Sequence, residues 1–448
     1  MEAASLIAKY FPNTGKEFCI GDCRIRTIVE QFGTPLFAYD RRILERKISL
    51  LRSTYPPRFE IFYSVKANPN QSFLRFFVER GCGLEIASSG EFFQAGSAGC
   101  APERIFFAGP GKTEAELLEV LSRGIGEIHA ESLLEITRAA AIARRLDIKA
   151  PLALRVNHGS AAEGGAMRMG GRPAPFGIDE ESLSPALDAV LHDPNIEFRG
   201  IHLFAGTQIL DYRLLLNQYQ KGLEIARSAA HYVGAPLPTL DFGGGLGVPY
   251  FPHEQELDLA ALQAELEDFV EQTSGDPLLS ATRFVIEPGR YLVGEAGVYV
   301  TRITDIKVSR GRKFLIVDGG MNHHLAASGN LGQTIKRNYP VALLNRYSSP
   351  PEETVDVVGP LCTPLDVLAR SVILPKAEVG DLLGILQSGA YARSASPLGF
   401  LSHATPPEVM VEGSDTWLIR QRGSPADYLL DQPQAQEQQV SQRSGSVS

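Results

Sequence analysis

Residues 61–100 read IFYSVKANPN QSFLRFFVER GCGLEIASSG EFFQAGSAGC. IFYSV is a short apolar run that breaks at Lys66, and GLEIAS, from Gly83, is a second one. The stretch between them can be helical. The same unit recurs down the chain, with RIFFAG from Arg104, EIHAES from Glu127, LALRVN from Leu152, GIHLFAG from Gly200, TLDFGG from Thr239 and FVIEPG from Phe284. Helix-patterned segments separate these runs, among them LLEITRAAAIARRL from Leu133 and LLLNQYQKGLEIARSAAHYV from Leu214. Regular strand–helix alternation signals parallel strands joined by crossover helices. Eight such strands within about 230 residues predict a closed (β/α)8 barrel of the TIM type, because an open sheet ordinarily uses fewer.

Beyond Arg290 the alternation stops. YLVGEAGVYVTRITDIKVS, KFLIVDGG, TVDVVGPL and DLLGILQSG are strand-like, with short polar breaks and little helical period. The expected organisation is a barrel over residues 35–290 and a mainly β domain built from 1–34 and 291–430. The polar, low-complexity residues 431–448 are expected to be a disordered tail.

Composition narrows the function classes. With 44% hydrophobic and 21% charged residues, the 448-residue chain reads as globular. A net charge of −9 argues against nucleic acid as a partner. No apolar run approaches the roughly 20 residues of a membrane span, and MEAASLIAKYFPNTGKEF lacks the plan of a signal peptide. A cytoplasmic location is the default expectation. Five cysteines (Cys19, Cys23, Cys82, Cys100 and Cys362) do not make a disulfide framework in so long a chain. No metal is expected: Cys19 and Cys23 lack a second ligand pair, and the adjacent His323 and His324 point apart on a strand and read as structural or interface residues.

Barrel enzymes carry their chemistry at the C-terminal ends of the strands. Those ends supply Lys66, Glu85 to Ser88, Gly109 to Lys112, Glu131, Arg155, Phe204 to Thr207, Gly243 to Gly245 and Glu287 to Arg290. The apolar run before Lys66 is expected to lower its pKa and favour covalent capture of a carbonyl cofactor. Gly243, Gly244 and Gly245 let backbone N–H groups approach a phosphate, although the run taken alone is equally a tight turn. Arg290 can complete a phosphate site. Glu287 can face a ring nitrogen, or pair with Arg290 to fix the turn.

YSVKANPN, GLEIASSGE, GPGKT, LDFGGGLG, IEPGRYLV, VDGGMNHH, VVGPLCTPLD and SGAYARSASP together resemble the fold-type III pyridoxal-phosphate decarboxylases, which include the diaminopimelate, ornithine and arginine enzymes. The resemblance runs from about Thr34 to about Pro406 and keeps the motif order. GGGLGVPYF, MRMGG, VDGGMNHH and GPLCTP look most similar to the L-glutamyl-[acyl-carrier protein] decarboxylases. It implies pyridoxal 5'-phosphate as cofactor, covalently held by Lys66, with Glu287 on the pyridine nitrogen. Thr207, Gly243 to Gly245, Gly289, Arg290 and Tyr391 would serve the phosphate, and Arg155 would line the pocket. Cys362 would return the proton from the partner subunit of a homodimer with shared active sites, a task that suits a thiol.

The sequence departs from the family pattern in three places. The usual HxHxGSQ segment is here His202-Leu203-Phe204-Ala205-Gly206-Thr207-Gln208, so Phe204 takes the place of the ring-stacking histidine. Phenylalanine still stacks but does not titrate. Thr363 follows Cys362 where amine-ended substrates usually meet an acid, leaving Asp366 as the nearest carboxylate. The glycine-rich segment from Ala161 to Pro175 carries Arg168 and Arg172, suited to an acidic or phosphopantetheine-bearing substrate. These features favour α-decarboxylation of a glutamyl-type group on an acyl-carrier protein. A free amino acid such as diaminopimelate is the alternative substrate. A racemase on the same barrel usually pairs the ring nitrogen with arginine, and a non-catalytic regulatory relative often loses cofactor residues. Glu287 speaks against the first, and the presence of Lys66, Glu287 and Cys362 against the second.

Overall fold

The computed structural model describes residues 3–12, 15–159, 167–168, 173–204, 206–251, 253–331 and 336–433. Numbered along the chain, its strands of three or more residues begin with β1 (Leu36–Asp40). Eight follow: β2 (Phe59–Ser64), β3 (Gly83–Ile86), β4 (Ile105–Phe107), β5 (Glu127–Ala130), β6 (Ala150–Asn157), β7 (Ile196–Leu203), β8 (Thr239–Asp241) and β9 (Arg283–Ile286). All are parallel to their neighbours, and β9 pairs with β2, so the sheet closes into the barrel. These strands are buried on both faces, as in a sheet wrapped by helices. Inside the barrel Phe62 and Phe106 stack at 4.0 Å and form, with Val285, a cluster separate from the outer core.

The crossover helices include Leu133–Leu146 and Tyr212–Val233. Ser132 caps the first by accepting from the Glu135 amide, and Asp211 caps the second by accepting from Arg213. The second helix stops at Gly234, whose φ of 71° is the left-handed conformation common at helix ends.

The second domain continues with β10 (Gly297–Ser309), β11 (Arg312–Val317), β12 (Val341–Leu343), β13 (Glu353–Val358), β14 (Val367–Leu374), β15 (Leu382–Ile385), β16 (Glu408–Glu412) and β17 (Asp415–Arg420). The main sheet has the order β14-β13-β11-β10-β1-β16-β17, and β15 joins β10 to β12. One sequence boundary moves. β1 falls within the range assigned to the barrel, yet it runs antiparallel to β10 and parallel to β16 in the β domain. All five of its residues are buried, and its partners come from remote parts of the chain. Backbone bonds from Phe18 to Leu344 and from Asp22 to Gly413 fasten the preceding residues to the same domain.

His323 and His324 are buried, with His323 Nδ1 3.0 Å from the Tyr299 hydroxyl and His324 Nε2 2.9 Å from Ser388 Oγ. Burial lowers both to about 3. No described helix is long and apolar enough to cross a membrane. Residues 434–448 of the tail lie outside the described residues, as do most of Ala161 to Pro175 and Arg172 within it.

Candidate active site

A cavity of about 520 Å³ opens at the C-terminal ends of the barrel strands. It brings together Lys66, Arg155, Phe204, Thr207, Glu287, Arg290 and Tyr391, seven of the residues singled out from the sequence.

Lys66 follows β2 in a single turn of 3-10 helix. Its Nζ lies 2.8 Å from both carboxylate oxygens of Glu85, at the end of β3, and Ser64 Oγ also donates to that carboxylate. The expected fall in the lysine pKa is therefore reversed. Burial alone would lower it, but Glu85, with Tyr391 and Glu287, outweighs burial and raises it. The apolar flank of Lys66 supplies the strand, while the charge it meets comes from the neighbouring strand.

The turn after β8 lies tight against the end of β9. The Glu287 amide donates to Gly243 O at 2.8 Å, and a Cβ on Gly244 would stand 2.7 Å from Glu287 O. Only a bare backbone fits there. Gly289 is similarly close to Ser64 and Ala67, where an added Cβ would lie 2.9 Å from the Ala67 Cβ. Arg290 Nη1 donates to the Tyr250 hydroxyl at 3.0 Å and the guanidinium lies 4.7 Å from the Tyr391 ring centre. Arg290 Nε is buried and has no acceptor among the described residues. Tyr391 itself is held at φ 52°, its amide donating to Ala67 O.

Arg155, at the end of β6, is paired with Glu131 at 2.8 Å. Glu131 also accepts from the Gly109 and Gly177 amides, and burial, which opposes its ionisation, is outweighed by Arg155 and Lys112. Arg155 therefore lines the cavity as one half of an ion pair and lies 5.8 Å from the Phe204 ring centre. The Met167–Arg168 backbone pairs antiparallel with Gly206–Thr207, which brings that part of the glycine-rich segment alongside Thr207.

Beneath Glu287 lies a buried polar floor that the sequence reading did not single out. His202 Nε2 is 3.4 Å from Glu287 Oε2, and the His129 and His202 rings stack at 4.0 Å. Glu127 and Asp241 flank His129. The alternation of Glu127 and His129 about Ile128 was a usable signal, since alternate strand residues share one face.

Cys362 is exposed and is not among the residues lining the cavity of its own chain. Its loop is clamped by Asp366, whose oxygens accept from the Met321 and Leu361 amides at 2.7 and 2.9 Å. Asp366 is buried, and each of its oxygens accepts from a backbone amide, so it fixes the shape of this loop. Thr363 is half-buried beside it.

Residues 41–294 match the model of the pyridoxal-binding domain of pyridoxal-dependent decarboxylases. The chain belongs to that family. The decarboxylase is 37% identical to the L-glutamyl-[BtrI acyl-carrier protein] decarboxylase of Niallia circulans over 93% of its own length and 98% of that protein. It is 30% identical to the diaminopimelate decarboxylase of Aquifex aeolicus, covering 96% and 99% of the two chains. The crystal structure of Helicobacter pylori diaminopimelate decarboxylase complexed with L-lysine superimposes with a TM-score of 0.81 at 28% identity, covering 90% of the decarboxylase and 98% of that chain. The decarboxylase is a carboxy-lyase, which sets aside the racemase and the non-catalytic protein considered from the sequence, and its cofactor is pyridoxal phosphate.

The side chains fit that cofactor. Lys66 presents a primary amine to the cavity. Arg290 Nε is a buried cationic donor without an acceptor, and Glu287 Oε1 a buried acceptor without a donor.

Proposed function

We propose that the decarboxylase removes the α-carboxylate of a glutamyl-type aminoacyl group carried by an acyl-carrier protein, acting in the cytoplasm as a homodimer with shared active sites. The observation that carries this reading is the lack of an uncommitted acid for a distal ammonium among the described residues around the cavity. Glu85 is paired with Lys66, and Glu116 accepts from Thr113 and Ser89. Glu287 is assigned to the pyridine nitrogen, and both oxygens of Asp366 accept from backbone amides. Thr363 adds only a neutral hydroxyl next to Cys362. A substrate ending in a thioester needs no counter-charge there, whereas a diamino acid does. The 37% identical relative named for a carrier-linked glutamyl substrate supports the same choice.

When bound, pyridoxal phosphate supplies an electron-accepting ring for the bonding pair left behind as carbon dioxide departs. Lys66 would hold the cofactor covalently, and Glu85, 2.8 Å from its Nζ, would take the proton from the lysine ammonium. Glu287 would bind the pyridine nitrogen through its carboxylate. Arg290, Thr207, Tyr391 and the backbone of Gly243 to Gly245 would hold the phosphate, Gly289 keeps the Glu287 turn close to Lys66, and Phe204 would cover the ring. The Arg155–Glu131 pair braces the wall. Cys362 of the partner subunit delivers one proton from Sγ to the substrate carbon. Arg168 and Arg172 meet the carrier's phosphopantetheine arm.

Thr363→Asp tests the specificity reading. An acid at this position should raise turnover of ornithine or diaminopimelate and depress turnover of the glutamyl thioester. An unchanged ratio of kcat/KM between these substrates overturns the role of Thr363. Likewise, an unchanged KM for the thioester in the Arg168→Ala/Arg172→Ala double variant removes the arginines from the site.

A further inference from the structure

The motif YSVKANPN enters the proposed scheme only through Lys66, yet both of its asparagines are buried, Asn68 at 7% and Asn70 at 1% exposure. Asn70 stands where the turn after Lys66 becomes the helix Gln71–Glu79, which it caps by accepting from the Ser72 amide at 3.0 Å. Its side-chain nitrogen donates to Glu408 Oε2 at 2.9 Å and to Ile419 O at 3.3 Å, both in the β domain. Asn68 Oδ1 accepts from the Asn70 amide at 3.2 Å, and Asn68 Nδ2 donates to Gly389 O at 3.1 Å. Ala67 O accepts from the Tyr391 amide at 2.9 Å. Ala67, Asn68 and Asn70 are thus all bonded to the β domain.

Glu408 opens β16 and is 2% exposed. Its Oε1 accepts from the Tyr39 hydroxyl at 2.7 Å, and its Oε2 accepts from Asn70 and from Arg420, with which it forms an ion pair. Three donors from three segments leave this carboxylate little freedom. A hydrogen bond to a carboxylate is roughly twice as strong as one between neutral groups, so the Asn70–Glu408 bond outranks the neutral ties to Ile419 O and Gly389 O. The other end of the same turn carries strain. Tyr391 is held at φ 52°, a conformation that a residue with a side chain keeps only where its surroundings fix it. Its amide is bonded to Ala67 O, so the Lys66 turn and Tyr391 hold one another in place.

We propose that Glu408 is a positioning residue: by holding Asn70 it fixes the turn between Lys66 and the following helix, and so sets the spacing between the lysine amine and Tyr391. This rests on the reading that Lys66 and Tyr391 hold the cofactor. Cofactor-free protein can relax the turn, whereas cofactor-bound protein needs both residues in place. Loss of the Asn70–Glu408 bond therefore shows as weaker capture of the cofactor.

The test titrates cofactor-stripped full-length protein with pyridoxal phosphate by fluorescence, then reduces the complex with borohydride to count cofactor fixed to the chain. Glu408→Gln keeps the side-chain length and removes the charge. Asn70→Ser keeps a helix-capping oxygen and deletes the donor to Glu408. Each should weaken cofactor affinity by about tenfold or more, as for one lost hydrogen bond to a charged group. Because both act through one bond, their losses should not add, and the double variant should match the weaker single variant within about twofold. Tyr39→Phe removes a different donor to Glu408, and it should lower the urea midpoint while leaving cofactor affinity as in wild type. Wild-type affinity in either single variant, additive losses in the double variant, or an equal loss in Tyr39→Phe overturns the proposal. Lys66→Ala separates the two claims: if reduction still fixes cofactor to that variant in wild-type amount, the Lys66 reading itself falls.

Discussion

Gly244→Ala is a sharp probe of the phosphate turn, because its effect follows from one distance. The φ of Gly244 lies outside the left-handed region, so alanine can adopt its backbone conformation, and the conflict is purely one of space. The added Cβ would stand 2.7 Å from Glu287 O, whereas ordinary contact begins at 3.4 Å, so about 0.7 Å must be found. A backbone oxygen cannot swing aside as a side chain would, and the Glu287–Gly243 hydrogen bond ties the two strand ends together. Overpacking of this kind costs about 1–3 kcal/mol. Cofactor-free protein can relax by opening the turn, but cofactor-bound protein needs Glu287 and the glycine amides in place. The strain should therefore appear as weakened cofactor binding, by about 5- to 150-fold at 1.4 kcal/mol per tenfold. Fluorescence titration of cofactor-stripped protein measures it. Gly275→Ala is the control, since its added Cβ would meet nothing within 4 Å. Affinity of Gly244→Ala within twofold of wild type would refute the argument.

Glu85→Gln removes the carboxylate that holds the Lys66 pKa up, so covalent cofactor capture should begin at lower pH, and an unmoved midpoint in a visible-absorbance titration would count against the pair. Cys362→Ala should keep the cofactor yet lose about 10²- to 10⁴-fold in kcat. Mixed with Lys66→Ala, it should recover about a quarter of wild-type activity if random dimers share their sites, and no recovery on mixing would place Cys362 in its own chain's site. Burial raises Glu91 to about 7. The folded protein then binds more protons than the unfolded chain between about pH 4.3 and pH 7, so this group makes stability fall as pH rises through that window and level off above it. Urea midpoints of Glu91→Gln should lose that slope, and an unchanged slope would locate it elsewhere. Gly96→Ala, in a helix with open space around the position, should stabilise by about 0.4–1 kcal/mol in the same assay.

The barrel was legible because each strand–helix unit carries its own period and boundary, and the catalytic rim followed from reading strand ends. Lys66, Arg155, Phe204, Thr207, Glu287, Arg290 and Tyr391 reached one cavity on that logic. What local pattern could not reveal was partnership between remote strands. LFAYD reads as any buried strand, and only tertiary pairing with Gly297–Val300 and Glu408–Val411 takes it out of the barrel. The Lys66 environment was misjudged for the same reason, since Glu85 lies on a different strand. His129 passed as one polar residue in EIHAES, because its meaning depends on His202, Asp241 and Glu287 arriving from three other strands. The hold of Asp366 on its loop was half legible, since the Leu361 amide is five residues away but the Met321 amide arrives from a remote part of the chain.

The central claim is tested most directly by carbon dioxide release from cofactor-loaded enzyme, offered an L-glutamyl carrier-protein thioester, free glutamate, diaminopimelate, ornithine and lysine in separate reactions. Release from the thioester with none from the free amino acids is the predicted result. Release from a free diamino acid, with the thioester left intact, would contradict it.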